Sequence, residues 1–122
     1  MKYLCLAYEE ERLFHELSPA EWRALRRETL DYVESLRADG RLIDARPLRS
    51  ATTAKTVRVR GGRPSIVDGP FAETKEQVGG FFLIEAADLD EALAIAARWP
   101  SARLGSIEVR PVEEGLPPDR RY

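Results

Sequence analysis

Two segments of this chain are apolar on both of their alternating faces, and that restricts the fold more than any other feature. In Lys2–Tyr8, Tyr3, Cys5 and Ala7 share one face, while Leu4, Leu6 and Tyr8 share the other. In Gly80–Ala86, Phe82, Ile84 and Ala86 oppose Phe81, Leu83 and Glu85. A strand of this kind needs cover on both sides of its sheet. One layer of helices supplies only half of it.

The helices are announced by their starts. Ser18-Pro19-Ala20-Glu21 places an N-cap serine, a proline at the first helical position and a glutamate that closes a capping box. Trp22, Leu25, Thr29, Tyr32, Val33 and Leu36 follow at helical spacing, and Gly40 is placed to end the helix in the left-handed region. Asp88-Leu89-Asp90-Glu91 repeats the start signal, with Leu89, Ala92, Leu93, Ala96 and Trp99 as the expected stripe and Pro100 as the stop. Further strands are expected at Leu42–Leu48 and Ile107–Val112. Between them, Thr56–Arg60 and Arg63–Val67 flank the hairpin loop Gly61-Gly62, with Val57 and Val59 inward and Arg58 and Arg60 outward. The order is β-α-β, a hairpin, then β-α-β: an α+β, ferredoxin-like β-α-β-β-α-β plan with an inserted β-hairpin. The chain has no spare element for the second apolar sheet face, so the pattern predicts a homodimer that packs sheet against sheet. Residues 1–112 read as one domain and 113–122 as a polar tail without periodicity.

Composition removes several function classes. The net charge is −2, which gives no electrostatic support for nucleic-acid binding. No run approaches the roughly 18 apolar residues of a membrane span, and the opening MKYLCLAYEE lacks the layout of a signal peptide. A lone cysteine cannot form an internal disulfide, so the expected location is cytoplasmic. One Cys and one His do not build a zinc site, and no cofactor motif is present; no metal or cofactor is expected. Cys5, in mid-strand, reads as a small hydrophobe rather than a nucleophile.

The densest chemistry lies in VDGPFAETKEQVGG, residues 67–80. Asp68-Gly69-Pro70 is explained as a corner, with Asp68 in an Asx turn, Gly69 at positive φ and Phe71 burying the corner against the core or the dimer seam. Glu73, Thr74, Lys75 and Glu76 exceed what a corner needs. They form either one helical turn of structural ion pairs or the polar rim of a site in which Asp68, Glu73 or Glu76 does acid–base work beside Lys75. Arg58 and Arg60, with Tyr8 and His15, are the further candidates for contacting a small polar or anionic ligand. His15 is the only histidine and a group able to titrate near neutral pH, although an exposed loop residue among glutamates is the plainer reading.

The run Asp68-Gly69-Pro70-Phe71-Ala72-Glu73-Thr74-Lys75-Glu76 resembles the signature of the DGPF branch of the YCII-related family. MKYLCLAY, Thr56–Arg60, Gly79–Ile84 and Gly105–Val112 resemble the same family in the same order. The resemblance implies a dimeric α/β-barrel of ferredoxin-like subunits, in agreement with the pattern. It implies no single reaction, because similar barrels elsewhere carry out isomerisation, oxygenation and lyase chemistry. It also implies a second role, a non-enzymatic regulatory or protein-interaction module, since proteins of this branch are often encoded beside sigma-factor-like regulators. Smaller YCII-like proteins carry a His early in the first helix as part of a proposed His–Asp pair. Thr29 stands at about that position here, so the pair is not carried over.

Overall fold

A computed structural model describes all 122 residues. Strands β1 (Lys2–Glu9), β2 (Leu42–Pro47), β5 (Gln77–Glu85) and β6 (Ser106–Pro111) form one sheet in the order β2-β5-β1-β6, with every neighbouring pair antiparallel. The two doubly apolar segments, β1 and β5, are the central strands, as strands without a polar face should be. Pro47 closes β2 at the sheet edge, where a missing N–H costs no ladder bond. Helices α1 (Glu11–His15), α2 (Pro19–Ala38) and α3 (Leu89–Ala97) and two 3₁₀ turns, Ala51–Thr53 and Pro100–Arg103, complete the core unit. The hairpin of β3 (Lys55–Arg60) and β4 (Arg63–Asp68) forms a separate two-stranded sheet. This is the ferredoxin-like plan with an inserted hairpin.

The caps behave as their residue types require. Ser18 Oγ accepts from the Glu21 amide at 3.1 Å, and the Glu21 carboxylate accepts from the Ser18 amide at 2.9 Å. Asp88 accepts from the Glu91 amide at 2.9 Å. Gly40 follows α2 at φ +71°, a conformation that costs a residue with a Cβ about 1–2 kcal/mol.

The core lies between α2, α3 and one side of the sheet. Tyr3, Cys5, Phe82 and Ile84 are almost wholly buried under Leu36, Ala92, Ile95, Ala96 and Trp99. Trp99 stacks on Phe82 with centroids 3.9 Å apart and planes 8° from parallel. Tyr32 meets Trp99 edge-on at 6.0 Å and donates its hydroxyl to the Ile95 carbonyl at 2.8 Å. The other side of the sheet carries Leu4, Leu6, Tyr8, Phe81 and Leu83, all partly exposed.

Several sequence expectations are corrected. The buried stripe of α3 runs through Ala92, Ile95 and Ala96, while Leu89 and Leu93 are exposed; the helix ends at Ala97, and a 3₁₀ turn carries the chain on from Pro100. Trp22 is exposed, edge-on to Phe14 of α1, a helix too short and too polar to show a period. Val57 and Val59 do not face inward. Within one chain the hairpin has no inside, and both remain exposed. Phe71 is not buried against the core of its own chain; it is 77 % exposed beneath the Arg58 guanidinium, 5.3 Å from the ring centroid. Asp68 makes no Asx turn, because the residue two places on is Pro70, which has no N–H to donate. Its carboxylate takes the Lys55 ammonium across the hairpin instead. Glu73–Glu76 form no helical turn. Gln77 Nε2 donates to the carbonyls of Ala72 and Thr74 at 2.7 and 2.8 Å, and Thr74 Oγ1 donates to the Glu76 carbonyl, which folds the run as a pinned loop.

Candidate functional site

β1 ends, and β5 and β6 begin, at one end of the sheet. Tyr8 sits opposite Ser106 of β6 and Val78 of β5, and Glu9 sits opposite Gln77. The ladder is irregular here: a bulge falls between Ala7 and Tyr8, and Gly79 is the residue left without a partner. Gly105 approaches the Tyr8 carbonyl so closely that a side chain would overlap it. The pinned loop delivers Glu76 to the same place, where its carboxylate accepts from the Ser106 hydroxyl at 3.2 Å.

Three consecutive glutamates leave the sheet at this end, and they are not equivalent. Glu10 pairs with Arg12 at 3.1 Å. Glu11 accepts from the Ala51 amide and the Ser50 hydroxyl, both at 2.7 Å. Those bonds hold its carboxyl below the usual carboxylate range, with His15 adding to the effect. Glu9 has no such donor. Its side chain lies folded over Gly79, in the space that a Cβ there would fill. Partial burial pushes its carboxyl above the usual range, and the charge of Glu11 adds to the shift. The glycine makes room for the carboxyl, and the bulge explains why a glycine stands there.

Of the residues singled out from the sequence, Tyr8 and Glu76 meet at this sheet end, and His15 lies beside it at the end of α1. The others lie elsewhere. Asp68 is exposed and paired with Lys55 on the hairpin. Arg58 covers Phe71, and Arg60 donates to its neighbour's carbonyl at Val59. Glu73 and Lys75 are exposed on the loop. A cavity of about 460 Å³ between Arg110, Glu113, Arg121 and Tyr122, and one of about 290 Å³ between Leu17, Leu25, Glu28 and Arg103, contain none of these residues. Thr29 turns its hydroxyl back to the Leu25 carbonyl at 2.8 Å, a bond internal to α2. Nothing in the local sequence pattern sets Glu9 apart from Glu10 and Glu11. The signal available was the Gly79-Gly80 pair inside a strong strand, which marks a bulge or a close approach.

The fold defines an antiparallel ferredoxin-like α+β chain with a carboxylate-rich end to its sheet. Its model match runs over residues 1–115 to the YCII-related domain, and the chain belongs to that family. It is 42% identical over 106 residues to an uncharacterised protein of Rhizobium meliloti (strain 1021), covering 85% of this chain and 76% of the relative. Among solved structures, it is similar to 5-chloro-2-hydroxyhydroquinone dehydrochlorinase from Burkholderia phenoliruptrix AC1100, in complex with 2,5-dihydroxybenzoquinone. The TM-score is 0.51 at 18% identity, over 94% of this chain and 96% of that one. That likeness is one of fold. No helix is long and apolar enough to cross a membrane.

Proposed function

We propose that the protein works as a homodimer that binds a small, neutral, polar molecule at the sheet end, with Glu9 as the acid–base group. The observation that carries this reading is the Glu9 carboxyl: without a partner, half-buried and held over a glycine. A carboxyl that burial makes costly to ionise keeps its proton to a higher pH than an exposed one, which suits it to proton transfer. Tyr8, paired with Ser106, and the Glu76 carboxylate bonded to Ser106 stand at the same end of the sheet and are the further polar groups available to orient a ligand there. Glu9, Glu11 and Glu76 together disfavour an anion, so a hydroxylated or carbonyl compound fits better than a carboxylate or phosphate. The DGPF-ETKE run contributes through Glu76, and the exposed Asp68, Glu73 and Lys75 serve the loop's surface. The similar dehydrochlorinase, solved with a dihydroxybenzoquinone, supports a ligand of this size and polarity for such a fold. The homodimer is supported by Leu4, Leu6, Phe81 and Leu83, which share the helix-free side of the sheet.

A thermal-shift screen of neutral hydroxylated and carbonyl compounds tests the site. A compound present at 100 times its Kd adds about 2.7 kcal/mol to the folded state, several degrees in Tm for a domain of this size. Glu9→Gln is expected to abolish the pH dependence of that shift above the usual carboxylate range, where the raised Glu9 carboxyl loses its proton. A shift of the same size and pH profile in Glu9→Gln refutes the assignment.

A further inference from the structure

The β3–β4 hairpin projects from the core as a ribbon with two unlike sides. Paired residues share a side, so Val57 with Ile66 and Val59 with Pro64 lie on one side, bounded at the base by Lys55 with Asp68, and Arg58 with Ser65, Arg60 with Arg63 and Thr56 with Val67 lie on the other. The apolar side is bare: Val57 is 61%, Val59 57% and Ile66 69% exposed. An isolated two-stranded ribbon is at best marginally stable in water. A row of exposed β-branched residues on such a ribbon is a surface made to be covered.

We infer that this apolar side, Val57, Val59, Pro64 and Ile66, seats on a second copy of the chain, so that each subunit of the dimer is clasped by the other's arm. The inference rests on the dimer proposed above and names a surface that pairing of the sheets alone would not use. Area argues for a second copy as the occupant. A stable interface buries about 800 Å² per partner. The helix-free sheet side offers Leu4, Leu6, Tyr8, Phe81 and Leu83, each already mostly covered by its neighbours, so that five such side chains fall short of that area. The arm adds the missing apolar surface on the same chain, and a two-fold pairing covers both patches twice. The arm's outer side fits the same role. Arg58, Arg60 and Arg63 keep it solvated, which blocks further edge-to-edge addition once the inner side is covered.

Sedimentation of the wild type, of Val59→Lys/Ile66→Lys and of the outer-side control Ser65→Lys tests this. The expected result is a dimeric wild type, a dissociation constant raised at least about 100-fold in the double variant, and a change under about threefold in the control. A second readout uses the unmodified protein. Hydrogen exchange of the amides in residues 55–68 should slow at least about tenfold between roughly 0.1 and 100 µM protein, because association protects what it covers. If the wild type is dimeric, but its arm exchanges at a rate independent of concentration and the double variant associates as tightly as the wild type, the clasp is overturned and the dimer stands. If the wild type is monomeric at 100 µM, the dimer reading falls and the clasp with it.

Discussion

Gly79→Ala separates the role given to Glu9 from the ordinary effect of adding a methyl group to a strand. An alanine Cβ at position 79 would overlap Oε1, Cδ and Cγ of Glu9, so the carboxyl must swing out toward water. That movement needs only side-chain rotation. The backbone at position 79 is not in the left-handed region, so alanine adds no strain of its own. Replacing glycine inside a strand recovers roughly 0.5–1 kcal/mol of backbone entropy. Loss of the Glu9 methylene contacts opposes this with about 0.8 kcal/mol for each CH₂ returned to water. The net change is therefore within about 1 kcal/mol of zero. The Glu9 carboxyl should meanwhile fall back toward the ordinary glutamate value as it regains solvent. Gly105→Ala is the contrast, because its Cβ would meet the backbone carbonyl of Tyr8, which cannot rotate away; about 1–3 kcal/mol or more is expected to be lost. Urea denaturation gives both stabilities, and carboxyl-carbon NMR titration follows Glu9. A Gly79→Ala protein whose Glu9 still titrates high, or one destabilised as much as Gly105→Ala, refutes the account of the bulge.

Other consequences follow from the same geometry. Glu9 binds its proton more tightly in the folded state, so its contribution to stability is fully present at low pH and is lost as pH rises through the raised value. Glu9→Gln should accordingly melt higher than the wild type at pH 7, with the difference vanishing below the carboxylate range; a constant difference across pH contradicts this. Cys5 is fully buried and its thiol is pushed up to about 12 by burial, so a disulfide reagent should react with it only at the rate of unfolding. Ser18→Ala removes one half of a complete capping box and should cost about 1 kcal/mol in urea denaturation, with a loss under 0.3 kcal/mol counting against the cap.

The sequence displays what depends on near neighbours. Alternation in β1 and β5, the two capped helix starts and the Gly61-Gly62 turn are all local, and each stands where its residues place it, with both glycines at positive φ. Features set by pairing between distant strands were not readable. The bulge opposite Ala7 and Tyr8 depends on the register of β1 against β5, and only that register brings Glu9 over Gly79. Phe71, Val57 and Val59 depart from the local pattern for a different reason. An apolar residue is expected to be buried, but a single chain holds no surface that covers the arm. Asp68 departs from the Asx-turn habit of aspartate because Pro70 has no proton to give.

The sheet order β2-β5-β1-β6 places the first strand made between the last two. The N-terminal amine of Met1 pairs with Glu85, 84 positions away. A ribosome adding about 5–20 residues per second needs on the order of ten seconds to supply the strands that flank β1. For that interval, a segment apolar on both faces waits without a partner on either edge. The architecture that hides β1 most completely in the finished protein is therefore the one that leaves it uncovered longest during synthesis.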